Sequence, residues 1–203
     1  MFDIFRVQST GGAPIGQGRI CGQELAQPGR NGDPFAPLHY LWPLLMRDHE
    51  EFWARCRRAM PNDALGDRYV VRRMGNAPAI CEALLGFVTT GQKTGLFSRP
   101  EELEASGLMP RSGDLVIFTN YAGIPRCLVR MEDCRRLKFC EIGPEHTACE
   151  SPAARDLAIW RGIHRRYWTP ILAAEGIDFT EDMLVLFQRF RLLYSEPPMA
   201  QGD

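Results

Sequence analysis

Lysine is the scarcest of the common charged residues in this 203-residue sequence, because only Lys93 and Lys138 occur among its 24 basic residues and the rest are arginines. The formal net charge is -1, which excludes a wholly basic protein of the histone type and confines any nucleic-acid binding to a local patch. Arginine keeps its proton under almost all conditions, whereas lysine can lose it. Each of the two lysines is therefore a candidate functional group.

Long apolar runs and regularly spaced cysteines are also missing. No uninterrupted apolar stretch approaches the roughly 20 residues that a membrane-spanning helix needs. The first residues do not show the basic stretch and apolar stretch of a secretory signal. The seven cysteines are odd in number and scattered, which favours reduced thiols over a disulfide framework. We therefore expect a cytoplasmic protein without a membrane partner.

Glycine and proline are concentrated near the N-terminus. Seven of the 19 glycines lie within the first 32 residues, and no helical or alternating period persists there. Residues 1–45 are accordingly predicted to be an irregular or disordered extension. Asp48 is a possible helix N-cap just after Met46, so Met46 is an alternative start of the chain. A folded domain is predicted over residues 46–196, and residues 197–203 are a tail.

Helical and strand patterns alternate after this extension. Apolar spacing and flanking proline or glycine residues predict helices over 48–60, 77–90, 100–103 and 153–175, the last one broken at Thr169 and Pro170. Runs of β-branched and aromatic residues predict strands over 114–119, 124–130, 135–142 and 183–194, the first two forming a hairpin. Hairpins between helices favour an α+β fold with a mostly antiparallel sheet.

The first candidate site is the segment Gly91-Gln92-Lys93-Thr94-Gly95, which follows the second predicted helix. A lysine next to a hydroxyl between two glycines can bind phosphate or activate a nucleophile. The segment is not a Walker-type phosphate-binding loop, because the upstream glycine at the required spacing and a leading strand are missing. By spacing alone, the simpler interpretation is a helix end followed by a solvated lysine.

The second candidate site is the predicted helix around Trp160. His164 and Trp168 follow Trp160 at intervals of four residues and share its face, with Arg161 and Arg165 beside that face. The simpler interpretation is an amphipathic helix that packs its aromatic face into the core. The functional interpretation is a groove wall that presents arginines to phosphates and aromatic surface to bases.

Two other kinds of chemistry are disfavoured by spacing. Cys140, His146 and Cys149 are residue types that bind zinc, but they lack a paired C-x2-C knuckle and an evident fourth ligand. No Gly-x-Ser-x-Gly segment and no Ser-His-Asp arrangement is evident, which disfavours a serine hydrolase of that type. We predict no metal and no organic cofactor.

Several short segments occur in an order that resembles ASCH-domain proteins. They are Phe52-Trp53-Ala54-Arg55, Ala79-Ile80-Cys81-Glu82-Ala83-Leu84 leading into Gly91-Gln92-Lys93-Thr94, Met109-Pro110-Arg111-Ser112-Gly113-Asp114, Leu157-Ala158-Ile159-Trp160-Arg161 with His164, Asp182-Met183-Leu184-Val185, and Arg189-Phe190-Arg191. The resemblance covers about residues 48–195 and is nearest to bacterial proteins in which the domain stands alone. It implies a PUA-like β-barrel with flanking helices, and a cleft near the Gly-x-Lys-Thr segment that is suited to RNA or a nucleotide-like ligand.

The resemblance also implies possible catalytic roles. Some relatives are ribonucleases, and smaller ones are amidohydrolases acting on N4-acetylcytidine with a lysine, a threonine nucleophile three residues later, and a glutamate. Lys93 matches the lysine, but Leu96 stands at the threonine position. Thr94 and Ser98 are the nearest hydroxyls. Each would face differently from the family nucleophile.

The acidic stretch that supplies the glutamate departs from the family pattern as well. Glu150 matches its first acid, whereas Pro152 stands at the second. The departures at Leu96 and Pro152 favour binding over catalysis.

Three functions stay open on this basis. The first is a module that binds RNA or a nucleotide-like small molecule, with these expected contact residues: Gly91, Lys93, Thr94, Ser98, Trp160, Arg161, His164 and Arg165. The second is a hydrolase of RNA or a modified nucleoside, with Lys93 as base, Thr94 or Ser98 as nucleophile, and Glu150 as oxyanion or proton-transfer partner. The third is a protein-interaction domain whose partner is unknown.

Overall fold

The computed structural model describes the backbone of residues 4–9, 38–61 and 65–196, and the side chains of 48–61 and 65–196. The strands in these ranges are β1 (Ile4–Ser9), β2 (Arg68–Arg73), β3 (Gly95–Ser98), β4 (Leu115–Thr119), β5 (Pro125–Lys138) and β6 (Leu184–Ser195). The helices are α1 (Leu38–Ala59), α2 (Pro78–Thr89), α3 (Pro100–Ala105), α4 (Pro144–Thr147) and α5 (Leu157–Ala174). Short 3-10 turns lie at Phe139–Glu141 and Pro152–Ala154.

The six strands form one sheet in the order β1-β2-β4-β5-β6-β3. The pairing of β2 with β4 is parallel, and every other pairing is antiparallel. The predicted hairpin is the pair β4 and β5, and the long β5 also pairs with β6 along most of its length. These pairings confirm the predicted α+β fold with a mostly antiparallel sheet.

The sheet curls but is not closed into a barrel within the described residues, where β1 and β3 remain at its two edges. This corrects the expectation of a closed β-barrel. The curvature is seen in one core cluster that joins Leu96 of β3 to Phe118 of β4 and Phe190 of β6. The side chain of Arg72 on β2 also reaches Gln188 on β6 and Ser98 on β3. A side chain of β2 therefore contacts β6 and β3, strands with which β2 forms no backbone ladder.

Apolar side chains fill both faces of the central strands. On β4, Leu115 and Ile117 pack with the cluster under α1, whereas Val116 and Phe118 pack with the cluster that contains residues of α2. All five residues of β4 are buried. This two-sided burial explains why β4 is a continuous apolar run and not an alternating one. A third cluster joins α5 to the end of β5 and the beginning of β6.

The N-terminal part of the described chain differs from its prediction. β1 lies within the segment expected to be irregular and pairs with β2, and α1 begins at Leu38 and runs through Met46 without interruption. The rest of the expected extension, residues 10–37, and the tail at 197–203 lie outside the described residues.

Three further elements differ from their predictions. β2 and β3 are strands that the sequence patterns did not identify. The strand predicted over 135–142 is the end of β5, which stops at Lys138.

The long helix α5 begins later than predicted and is not broken. Asp156 caps it, its carboxylate accepting the N–H of Ile159 at 3.0 Å. The helix then continues through Pro170, although proline cannot donate the usual hydrogen bond. Trp168 and Leu172 are buried on either side of Pro170 in the same core cluster, so tertiary packing outweighs the local cost of proline.

Candidate functional site

A cavity of about 310 Å³ lies between the sheet and helices α2 and α5. Its wall combines the end of β2, the start of β3, the beginning of α2, the middle of α5 and the segment around residue 150. Much of the wall is apolar, including Met74, Leu96, Phe97 and Trp168. The volume is at the lower end of the range for small-molecule sites.

Lys93 enters this cavity because of how helix α2 ends. Gly91 has a φ of +72° and its N–H bonds to the carbonyl of Val88, which is a helix ending that glycine adopts at little cost. The next two N–H groups, of Gln92 and Lys93, both donate to the carbonyl of Phe87. The reversed chain directs Lys93 inward, where only 4% of the residue is exposed. The simple expectation of a solvated lysine is therefore wrong.

Glu150 is the partner of this buried lysine. Lys93 Nζ donates a hydrogen bond to Glu150 Oε2, and the same oxygen accepts the N–H of Ser151 at 3.1 Å. Glu150 is 5% exposed, and both members of the ion pair line the cavity. A buried pair of this kind is held by a strong attraction in a medium that screens little, and each charge becomes costly if its partner is removed.

Two loops that are far apart in sequence carry the pair, and Arg155 ties them together. Its guanidinium donates to the carbonyl of Glu150 at 3.0 Å and to the carbonyl of Gln92 at 2.6 Å. The N–H of Thr94 adds a bond to the carbonyl of Cys149 at 2.8 Å. Arg155 is thus a positioning residue for the ion pair. The sequence patterns did not single out Arg155.

His164 on α5 is the third polar group of the cavity wall that the sequence predicted. Its Nδ1 lies 2.9 Å from the carbonyl oxygen of Trp160, which accepts a hydrogen bond from the Nδ1–H tautomer and leaves Nε2 as an acceptor. Burial lowers the pKa of His164 to about 4, against smaller raising effects of the hydrogen bond to the Trp160 carbonyl and of the Glu150 charge. The ring is therefore neutral at pH 7, and it stacks on the indole of Trp160 with centroids 4.1 Å apart.

The structure thus brings together three of the predicted site residues, Lys93, Glu150 and His164, at one cavity. The other predicted residues on α5 lie elsewhere. Trp160 is fully buried against Phe97 and Phe139 and does not line the cavity. The aromatic face of the helix is core, as in the simpler of its two interpretations.

The two arginines predicted beside that face also have other partners. Arg161 donates to the carbonyls of Cys140 and Ile142. Arg165 forms an ion pair with Glu181, and its guanidinium lies 5.3 Å from the ring centre of Phe179. Neither arginine lines the cavity.

The predicted hydroxyls near Lys93 lie outside the cavity wall as well. Thr94 is half-buried and holds the site through its backbone, and Gly91 is exposed at the helix end. Ser98 is buried, and its Oγ accepts hydrogen bonds from Arg72 at 2.7 Å and from Gln188 at 3.0 Å. Leu96, which the resemblance matches to the family threonine, contributes apolar wall.

Arg72 is a cavity residue that the sequence analysis missed together with its strand. The run Tyr69-Val70-Val71 after Gly66 and Asp67 is a strand signal that could have identified it. Alternation along β2 places Tyr69 and Val71 against α1 and directs Arg72 to the other face. Arg72 donates to Gln188 Oε1 at 2.8 Å and to Ser98 Oγ at 2.7 Å, and burial lowers its pKa to about 10.

The side chains of residues 48–61 and 65–196 include no group of three or more His, Cys, Asp or Glu placed to hold a metal ion. The three zinc-type residues noted in the sequence have other contacts. Cys140 is exposed with its thiol 3.8 Å from Asp182, His146 Nδ1 accepts the N–H of Gly143, and the Cys149 thiol donates to the carbonyl of His146.

Among the helices with described backbone, none has the length and apolar character required to cross a membrane.

The fold defines a class, a PUA-like α+β domain, and this one has a cavity beside its sheet. The sequence profile of the ASCH domain matches residues 70–194, which is more than half of the chain. The chain therefore belongs to the ASCH-domain family, a PUA-like family often linked to RNA binding. The resemblance seen in the sequence is confirmed.

Two solved structures share this fold. One is an ASCH domain from Lactobacillus crispatus JV V101, with 24% identity, a TM-score of 0.56, and coverage of 61% of this chain and 79% of that chain. The other is a protein from Enterococcus faecalis V583, with 21% identity, a TM-score of 0.62, and coverage of 72% and 88%. At these identities the similarity establishes the fold alone. A search of curated proteins gave no significant match.

Proposed function

We propose that the cavity binds a ligand that carries a nucleobase, either a free nucleoside or nucleotide or a single nucleotide of RNA. The observation that carries this proposal is the buried Lys93–Glu150 pair, which faces an apolar-walled cavity together with His164. The family's link to RNA supports the same class of ligand.

The polar groups of the wall suit the edge of a base. Lys93 has donor N–H groups beyond the one bonded to Glu150, the Glu150 carboxylate accepts, and neutral His164 offers Nε2 as an acceptor. Bases present alternating donors and acceptors on their edges and apolar faces above and below. Phe97 and Trp168 supply apolar wall for such faces. The volume suits one nucleotide unit, so a longer RNA must reach the cavity through a splayed-out base.

The test is calorimetric titration with the four common nucleosides, N4-acetylcytidine, their 5'-monophosphates and short single-stranded RNAs. The variant Lys93→Met/Glu150→Gln removes both charges together, and Lys138→Met is the matched control because Lys138 is an exposed surface lysine paired with Asp182. We expect at least one ligand to bind wild type and Lys138→Met equally and the double variant at least tenfold more weakly. Absence of binding, or binding that the double variant retains, contradicts the proposal.

The salt dependence of the affinity distinguishes a free nucleoside from a nucleotide of RNA as the ligand. Affinity for an RNA held by its phosphates falls steeply with added salt because counterions are released, whereas affinity for a neutral nucleoside changes little. We expect a flat response for nucleosides. A steep response confined to RNA identifies a phosphate-dominated interface.

A hydrolase of RNA or of a modified nucleoside is the second candidate. The observation in its favour is that a buried Lys–Glu pair shares the cavity wall with the hydroxyl-bearing Ser151. Against it, Lys93 is already paired with Glu150, and the hydroxyls of Thr94 and Ser98 do not line the cavity. The geometry therefore supports binding more strongly than nucleophilic attack by either predicted residue.

Product analysis on the same ligand panel decides between binding and hydrolysis. Turnover that the Lys93→Met/Glu150→Gln variant loses and Lys138→Met keeps supports the hydrolase. Binding without turnover supports the recognition module. If neither is seen, the third function, docking of a protein partner, is the one to pursue.

A further inference from the structure

Arg72 is a buried cation whose hydrogen-bond partners are neutral. It is 6% exposed, and its two hydrogen bonds go to the amide oxygen of Gln188 and the hydroxyl of Ser98. Among the residues with described side chains, no carboxylate lies within ion-pair distance of it, and the charge of Glu102 acts on it only from farther away. A buried charge is costly unless it is paired. By contrast, the buried Arg99 is paired with Glu175 at 2.7 Å.

The guanidinium of Arg72 has capacity left for a ligand. Arginine has five N–H donors in a planar fork that matches the oxygens of a carboxylate or phosphate. Two of the five donate to described residues, and Arg72 also lines the cavity. Gln188 also donates a hydrogen bond to Ser98, so the two residues that fix the Arg72 guanidinium are themselves fixed to each other.

The charge of the cavity wall favours an anion. Glu150 is the single carboxylate among the described lining residues and is offset by Lys93, and His164 is neutral at pH 7, so the charge of Arg72 is in excess. The wall is therefore positive in a protein whose formal net charge is -1. Positive charge in a concave, apolar-walled site raises the local concentration of anionic ligands.

The beginning of α2 adds to the same potential. Gly75, Asn76 and Ile80 line the cavity, and the helix has no side-chain cap on its first N–H groups. The N-terminal end of a helix carries a partial positive charge that attracts anions. A 12-residue helix with an uncapped start thus supports the charge of Arg72.

We infer that Arg72 binds an oxyanionic group of the cavity's ligand, which for a nucleotide is its phosphate. This inference rests on the proposed function only for the base-bearing part of the ligand. It assigns to the cavity two subsites, a base subsite at Lys93, Glu150 and His164, and an oxyanion subsite at Arg72.

The first experiment compares each nucleoside with its 5'-monophosphate by calorimetry. We expect wild type to bind the monophosphate about 10- to 100-fold more tightly than the nucleoside, the size expected for hydrogen bonds to a charged group. In Arg72→Gln that ratio falls to near one, whereas Arg191→Gln, an exposed arginine of β6, leaves it unchanged. Nucleosides that bind as tightly as their monophosphates overturn the oxyanion subsite and leave the proposed function standing.

The second experiment needs no variant and no nucleoside. The Nε–Hε signal of Arg72 in wild type is followed by NMR during titration with inorganic phosphate and, separately, with acetate. We expect a saturable shift with phosphate, and a comparable shift with acetate identifies a site for oxyanions in general. If nucleosides and nucleotides both fail to bind but phosphate shifts this signal, the proposed function fails and the Arg72 subsite stands. If phosphate leaves the signal unchanged, the subsite is overturned.

Discussion

The Lys93–Glu150 pair is the residue-scale feature on which the site depends. The two groups are 57 positions apart in the chain and both are almost fully buried. Removing one partner leaves the other as an unpaired buried charge, whereas removing both leaves a neutral and compact wall. A single variant of the pair should therefore be less stable than the double variant.

We predict that Lys93→Met lowers the free energy of unfolding by about 3–5 kcal/mol because it leaves the Glu150 carboxylate buried without a partner. Lys93→Met/Glu150→Gln recovers most of that loss, since the glutamine oxygen still accepts the N–H of Ser151. Lys138→Met, the exposed control, changes stability by less than about 1 kcal/mol. Urea denaturation of the three variants measures these differences. A double variant as unstable as the single one contradicts the account of the pair.

His164 predicts a pH dependence with a definite sign. Its pKa is lowered from 6.5 to about 4 in the folded state, so the unfolded chain binds the proton more tightly. Stability from this group is present above pH 6.5 and is lost as the pH falls towards 4, by about 2–3 kcal/mol at pH 4.5. The measurement is the difference in urea-unfolding free energy between pH 7 and pH 4.5. His164→Gln should lose correspondingly less than wild type, and equal losses contradict the assignment.

At the scale of elements, the close packing where α2 is followed by β3 requires a second glycine, after Gly91. Gly95 opens β3, and a Cβ at this position would overlap the Cys149 sulfur and lie 3.0 Å from the carbonyl oxygen of Gln188. The strand thus packs directly on the loop that carries Glu150. A glycine in a strand often marks a place where another group approaches the backbone closely.

We predict that Gly95→Ala destabilises the protein by about 1–3 kcal/mol through this overlap. Gly86→Ala is the matched control, because it lies on an exposed position of α2 with no atom within 4 Å of an added Cβ. There the change should stabilise the helix by about 0.5–1 kcal/mol. Thermal or urea unfolding of both variants gives the result. A Gly95→Ala protein as stable as Gly86→Ala would show that this packing can relax.

At the scale of the whole molecule, three apolar clusters meet across one curled sheet. Each cluster contains a buried cysteine, Cys56 under α1, Cys127 in the cluster with α2, and Cys149 in the cluster with α5. Burial raises the pKa of the first two thiols to about 12 and of Cys149 to about 11. Both access and thiolate formation therefore require opening of the surrounding cluster.

We predict that iodoacetamide at pH 8 modifies exposed Cys140 rapidly and these three thiols slowly and at a common rate. The common rate follows because strands β4, β5 and β6 are shared between clusters, so the clusters open together in global unfolding. Mass spectrometry of the labelled peptides gives the rates, with urea-unfolded protein as the control for intrinsic reactivity. Faster labelling of one buried cysteine would identify its cluster as a separate unfolding unit.

Much of the fold was accessible from local sequence patterns. Proline near the start and glycine just after the end predicted α2 within one residue at each end, and the β-branched runs around Asn120 predicted the hairpin of β4 and β5. These signals depend on backbone preferences of a few adjacent residues. The strands β2 and β3 were missed because one is bounded by arginines and the other is only four residues long.

The sequence by itself determined the α+β class, the family, and Lys93 and Glu150 as candidates, because periodicity, turn residues and short motifs are local properties. Only the tertiary structure decided that Lys93 is buried, that Arg72 from a missed strand faces the same cavity, and that α5 continues through Pro170. Each of these outcomes depends on contacts between segments far apart in the chain. Their energies come from burial and charge pairing in the assembled core, which no local pattern encodes.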